Sequence, residues 1–125
     1  MSVIAIAKSV RISPRKVSVV ASLVRGRSVS DALVILSHTP RSSATPVLKT
    51  IKSAAANADH NHNYRPDSLR IVEISVTPGP RSKRFRPVSR GMAHPYQKRT
   101  SHIRVVVDGE QRAPKKPVAA KKAEK

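Results

Sequence analysis

Ile4, Ile6, Val10 and Ile12 share one face of an alternating stretch into which Lys8 intrudes, and the spacing predicts a strand over residues 2–10. Ser13-Pro14 then reads as a helix N-cap followed by proline at the first helical position. Val17, Val20, Ala21 and Val24 recur at helical spacing behind it, and Gly26 ends the helix. A second helix opens at Ser28 with Asp31 three residues on, a capping-box-like start, and presents Val29, Ala32, Leu33 and Leu36 inward. The third and longest helix keeps Ala44, Val47, Leu48, Ile51, Ala55 and Ala58 on one stripe. Pro46 leaves its start open between a Thr45 cap and an earlier, kinked start at Pro40. The polar run His60 to Asp67 reads as loop.

Two Val- and Ile-rich strands follow, Leu69 to Thr77 and Ser101 to Val107. The second alternates cleanly, with Ile103, Val105 and Val107 inward. In the first, Leu69 and Ile71 give way to Val72, Ile74 and Val76, a change of phase that predicts a bulge or burial on both sides. Antiparallel pairing with Ile74 opposite Val105 puts the turn near Ser89-Arg90-Gly91. The whole segment 79–99, GPRSKRFRPVSRGMAHPYQKR, then becomes the outer half of one hairpin. Ten residues at ~3.3 Å each carry its tip roughly 30 Å beyond Gly79. The expected fold class is α+β: three helices packed on a small three-stranded antiparallel sheet with one very long protruding basic β-hairpin. The expected organisation is a single domain, 1–110, including the extended hairpin 79–99, followed by a basic disordered-type tail, 111–125.

Charge changes the picture from a fold to a function class. The 125 residues carry 25 Lys and Arg against 7 Asp and Glu, a formal net charge of +18. A compact body with that excess repels itself, and a polyanion relieves the repulsion. The segment 79–99 holds Arg81, Lys83, Arg84, Arg86, Arg90, Lys98 and Arg99 and no acidic residue. An ordinary solvated surface mixes both signs, so this arm reads as one that grips phosphates through its guanidinium forks. A second basic group, Arg11, Arg15, Lys16, Arg25 and Arg27, lies beside the helix starts and reads as an anchoring surface on the body. Aromatic residues are limited to Tyr64, Phe85 and Tyr96, which disfavours a single-strand binder built on stacked bases.

Other chemistry finds little support. There is no cysteine, hence no disulfide framework and no thiolate zinc site. His60 and His62 with Asp59 lack a further fixed partner for a metal and read as a polar loop that touches RNA. His38 and His94 read as surface or phosphate contacts. The seven acids are scattered, no glycine-rich phosphate loop exists, and no serine sits in a nucleophile signature, so no catalytic residue, cofactor, metal or small-molecule substrate is expected. The opening MSVIAIAKSV has too short an apolar patch for a signal-peptide core, and no run approaches a membrane span. A soluble, cytoplasmic protein with no membrane partner is expected.

Three stretches together carry a resemblance: ISPRKVSVVASLVRGRSVSDALVIL (Ile12 to Leu36), KSAAANADHN (Lys52 to Asn61) and KRTSHIRVVV (Lys98 to Val107). In this order, with Gly79-Pro80 before the basic arm, the chain resembles large-subunit ribosomal protein twenty-two, the bacterial L-twenty-two family, over about residues 3–108. The resemblance implies a structural, ribosome-bound constituent of the large subunit, which binds large-subunit ribosomal RNA, supports assembly and lines the nascent-polypeptide exit tunnel with its hairpin. Its partners would be that RNA, neighbouring large-subunit ribosomal proteins and the nascent chain. Joined to the two basic groups and to His94, the KRTSHI motif extends the expected RNA-binding set to Thr100, Ser101 and His102, although His102, on the face opposite Ile103, also suits a structural role. The expected tunnel-facing tip is Val88, Ser89, Arg90, Gly91 and Met92. Lys83, Ser89 and Gly91 match the family's pattern around the tip. Val88 stands where Arg or His is usual and Met92 where a basic or polar residue is usual, so this tip is less basic than the family norm. The alternative from another class is a general double-stranded nucleic-acid packaging protein.

Overall fold

Ser13 and Pro14 stand as the N-cap and first residue of the first helix, and the computed structural model, which describes residues 2–112, builds the rest of the body around it. The element order is β1 (Val3–Val10), α1 (Pro14–Val24), α2 (Val29–His38), α3 (Ala44–His62), β2 (Arg70–Pro78), β3 (Ser82–Pro87), β4 (Ala93–Lys98) and β5 (Ser101–Asp108). β1, β5 and β2 form a three-stranded antiparallel sheet in that spatial order, and β3 pairs with β4 as a separate two-stranded sheet. The helices cover one face of the three-stranded sheet, α3 against β1 and β5, α1 against β2, and α2 against α3.

The apolar periodicity names most of the core. Val17, Val20, Ala21 and Val24 of α1 are all fully buried, as are Val47, Ile51 and Ala58 of α3 and Ile103, Val105 and Val107 of β5, whereas on α3 Ala54, outside the expected stripe, is fully buried and the expected Leu48 and Ala55 are half-buried. Each such Val or Ile removed from water contributes about 1.5–3 kcal/mol before the entropy of ordering it is set against it. Ile74 does pair with Val105, and the ladder between β2 and β5 shifts between Ile71 and Glu73. Val72 is thereby left exposed while Ile71 and Ile74, three apart, both turn inward. The outer edge of β2 is covered by the turn after α1: Gly26 N–H donates to Ile71 O (3.1 Å) and Ile71 N–H donates to Arg27 O (2.9 Å). Gly26 makes that turn possible with φ 76°.

Four expectations are corrected. The buried face of β1 is Val3 and Ala5, while Ile4 and Ile6 are 43% and 54% exposed on the face without helices. Pattern reading favours the larger side chain, whereas here the face that meets α3 carries Val3, Ala5 and the half-buried Ala7. Phase is restored at a bulge between Ala7 and Val10, where Ser9 takes φ 55° and donates its N–H to His102 Nδ1 at 2.9 Å. Second, α3 starts at Ala44 with Ser43 as N-cap, between the two predicted starts. Pro46 is tolerated because it lies in the first turn, where backbone N–H groups have no helical acceptor. Third, the run from His60 is not all loop. α3 continues through His62, Asn63 ends it in the left-handed conformation (φ 54°), and Tyr64 is buried to 1% exposure.

The fourth correction concerns the hairpin. It is not one continuous ladder: β2 and β5 end at Pro78 and begin at Ser101, and pairing resumes between Ser82 and Lys98 with the register shifted by one residue. Pro80 has no N–H to give, and the joint is held instead by Gly79 N–H to Thr100 O (2.8 Å) and Thr100 Oγ1–H to Pro80 O (2.7 Å). A Cβ on Gly79 would lie 2.5 Å from Thr100 Oγ1, so any larger residue would displace the hydroxyl that bonds Pro80 O. Of the expected tail, Gln111 bridges to Tyr64, and Arg112 reaches the end of α3 through Asn63 O (2.7 Å) and Asp59 Oδ1 (3.3 Å). The remainder, from residue 113, lies outside the described residues.

Candidate nucleic-acid interface

The ribbon β3–β4 buries nothing; all twelve residues of its two strands are exposed. Its register sets Ser82 opposite Lys98, Lys83 opposite Gln97, Arg84 opposite Tyr96, Phe85 opposite Pro95, Arg86 opposite His94 and Pro87 opposite Ala93. Directly opposed residues share a face and successive ones alternate. One face is therefore Ser82, Arg84, Arg86, His94, Tyr96 and Lys98, three cations among a serine, a histidine and a tyrosine. The other is Lys83, Phe85, Pro87, Ala93, Pro95 and Gln97, mostly apolar. On the cationic face the Arg86 guanidinium lies 5.3 Å from the centre of the Tyr96 ring, an arrangement that splays the side chain along the ribbon.

At the tip, Val88 N–H donates to Met92 O (2.9 Å), closing a three-residue turn. Arg90 and Gly91 both have positive φ, 59° and 65°. Glycine adopts this readily; arginine there stores a modest strain of about 1 kcal/mol or more. Ser89, Arg90, Gly91 and Met92 are exposed and Val88 is half-buried.

The ribbon's ladder is weak on its own terms. Pro87 and Pro95 each remove a donor, an isolated two-stranded ribbon is marginal in water, and its like charges oppose compaction. In the free protein, backbone amides of 82–98 are expected to exchange with solvent close to the unprotected rate while those of α3 and β5 stay protected. Exchange measured by mass spectrometry checks this; strong protection at Phe85 and Tyr96 without RNA would count against it.

The body's basic residues divide into two kinds. Arg11, Arg15 and Lys16 are exposed around the end of β1 and the first turn of α1. That turn holds no acidic residue, and Ser13 makes no side-chain cap bond, so two cations sit at the positive end of the helix dipole. This placement opposes helix stability and suits an anion. Arg25 and Arg27 are used partly within the fold: Arg25 Nη2 donates to Ile74 O and Arg27 Nε to Leu23 O, both at 3.0 Å. Arg81 and Arg99 flank the joint and are exposed. Ser101 is fully buried, with its hydroxyl facing the interior. Thr100 is half-buried with its hydroxyl proton given to Pro80, and His102 holds the β1 bulge through Nδ1.

Among the described residues the ion pairs are Arg104–Glu73 and Arg112–Asp59, both away from the ribbon, whose cations face no carboxylate. The structure also joins groups that the sequence leaves apart. Arg11 meets Ser82, Arg84, Lys98, Arg99 and Thr100 around one cleft of about 380 Å3 where the ribbon leaves the body. The even-numbered spacing of Arg84 and Lys98 about Arg90 is the signal that could have paired them on one face; nothing in the chain points to Arg11. No described helix is long and apolar enough to cross a membrane.

Residues 5–108 match the family described as ribosomal protein L22p/L17e. Relatives named large ribosomal subunit protein uL22 from Clostridium novyi, Desulfitobacterium hafniense and Oceanobacillus iheyensis are each 53% identical over 103 residues. The match covers 82% of this chain and 93%, 90% and 91% of theirs, respectively.

Proposed function

The chain belongs to the ribosomal protein L22p/L17e family, and from that membership we propose that it is a structural constituent of the large ribosomal subunit. It binds large-subunit ribosomal RNA, supports assembly, and extends the β3–β4 arm to line the nascent-polypeptide exit tunnel. The observation that carries this reading is the acid-free cationic face of a ribbon that buries nothing in its own fold. A stretch so charged and so poor in intramolecular contacts gains its order from an external polyanion. The reading gives the body, through Arg11, Arg15 and Lys16, the anchoring role.

From Gly79 to the tip at Ser89 the arm spans about 30 Å at ~3.3 Å per residue, farther than a surface grip needs. The small or flexible residues Ser89, Gly91 and Met92 at its end suit a passage wall better than a phosphate clamp. Family membership favours this reading over a general packaging protein for duplex nucleic acid. Neighbouring subunit proteins and the nascent chain are the remaining partners it implies.

Removing Arg84 to Pro95 is expected to leave most large-subunit incorporation intact while altering the contacts that a growing chain makes. Incorporation is measured from gradient-purified subunits, and the contacts by crosslinking from arrested nascent chains. If the shortened protein fails to enter the subunit at all, the arm is an anchor and the division of labour is wrong.

A further inference from the structure

The joint between arm and body is held by little. Gly79 N–H to Thr100 O and Thr100 Oγ1–H to Pro80 O span it, the ladder is interrupted, and no apolar side chain of β3 or β4 is buried against the body. Beside this joint, Arg11 from the body faces Arg84, Lys98 and Arg99 from the arm side across the 380 Å3 cleft. Its lining contains no acidic residue, and none of the four cations forms an ion pair among the described residues. Like charges on two loosely joined units push the units apart; an anion between them reverses the sign of that force. The volume is more than ten times the ~30 Å3 share of one water, so two phosphates with bridging waters fit.

We propose that this cleft takes adjacent phosphates of an RNA backbone and thereby sets the angle between arm and body. The inference rests on the reading that the partner is RNA, and adds that one particular contact aims the arm. Ser82, whose hydroxyl can donate, and the guanidinium forks of Arg11 and Arg84 supply directional bonds; Lys98 supplies a mobile point charge. Arg84 Nη1 already donates to Lys83 O at 2.9 Å, which steadies that guanidinium while leaving its other donors available. Arg11 is thus a positioning residue as well as a phosphate contact.

The chain has no cysteine, so nitroxide labels at Ser18→Cys on α1 and Ser89→Cys at the tip report the body-to-arm distance without background. In the wild-type chain the distance distribution by pulsed electron resonance is expected to be broad alone. It narrows with inorganic pyrophosphate at constant ionic strength, and with a transcript of large-subunit ribosomal RNA. Arg11→Gln and Lys98→Gln should each stay broad in both cases, and Arg11→Lys should recover part of the narrowing. RNA affinity is measured on the same samples, where Arg11→Gln should lower the salt slope by about one. If the Arg11→Gln arm narrows with RNA as the wild type does, the inference fails although the RNA-binding reading stands. Narrowing by pyrophosphate but not by RNA also overturns it, because the cleft then serves a free anion. Failure of the wild-type chain to bind the transcript at all removes the functional reading itself.

Discussion

Affinity for RNA is expected to fall by about three to five orders of magnitude between about 50 and 200 mM salt, the loss that accompanies six to ten neutralised phosphates on a duplex-like lattice. The structure supplies cations in that number. Arg11, Arg15 and Lys16 on the body and Arg81, Lys83, Arg84, Arg86, Arg90, Lys98 and Arg99 on the arm are all exposed. Each phosphate that they neutralise releases condensed counterions, and the entropy of that release shrinks as bulk salt rises. Arg84→Gln and Arg86→Gln should each reduce the logarithmic slope by about one without changing which RNA is chosen, because a phosphate contact carries no sequence information. Arg25→Gln should behave differently, costing fold stability as well, since its guanidinium also ties the end of α1 to the Ile74 carbonyl. A filter-binding titration with a flat salt response would falsify the electrostatic account.

Ile51→Ala is expected to destabilise the fold by about 2–5 kcal/mol, a large share of the roughly 5–15 kcal/mol typical of a small domain. Ile51 is fully buried in α3, the helix that touches β1, β5 and α2 together. Neighbours held by three elements cannot all collapse into the space left behind. Phe85→Ala removes more carbon yet should change stability by less than about 0.5 kcal/mol, because the ring is 73% exposed on the ribbon. Urea unfolding followed by circular dichroism reads both, with the midpoint moving and the slope unchanged for Ile51→Ala. Equal losses from the two substitutions would mean that the arm packs against the body.

Hydrophobic period was enough to place the three helices, though not the ends of α3, and to place the pairing of Ile74 with Val105; of the expected caps only Ser28 makes its side-chain bond. Period also located the β2 irregularity, because a change of phase in a buried strand has few physical solutions. The same logic failed at β1, where Ile4 and Ile6 outrank Ala5 in hydrophobicity yet Val3 and Ala5 form the buried face. It failed again at His60 to Asp67, where polar composition hid one more turn of helix and the buried ring of Tyr64. In the candidate interface, the charges and the turn near Arg90 were legible, since like-charge runs and a two-residue period need no tertiary knowledge. The break at Pro80 could have been suspected from its missing N–H. The convergence of Arg11 with the arm could not, because it depends on where the joint at Gly79 and Thr100 sets the base of the ribbon relative to the end of β1.

The alternation of faces along β3 and β4 makes the arm's length a matter of parity. Deleting one cross-strand pair near the base would shorten the reach by ~3.3 Å. It would also rotate every more distal side chain to the opposite face, so that Phe85 pointed where Arg84 had been. Deleting two pairs would shorten it by roughly 7 Å and leave the faces as they were. A loss from one strand alone would slip the register and set unlike residues side by side. Insertions and deletions compatible with this arm's chemistry therefore come in matched blocks of four residues, two from each strand, and its length can change only in those steps.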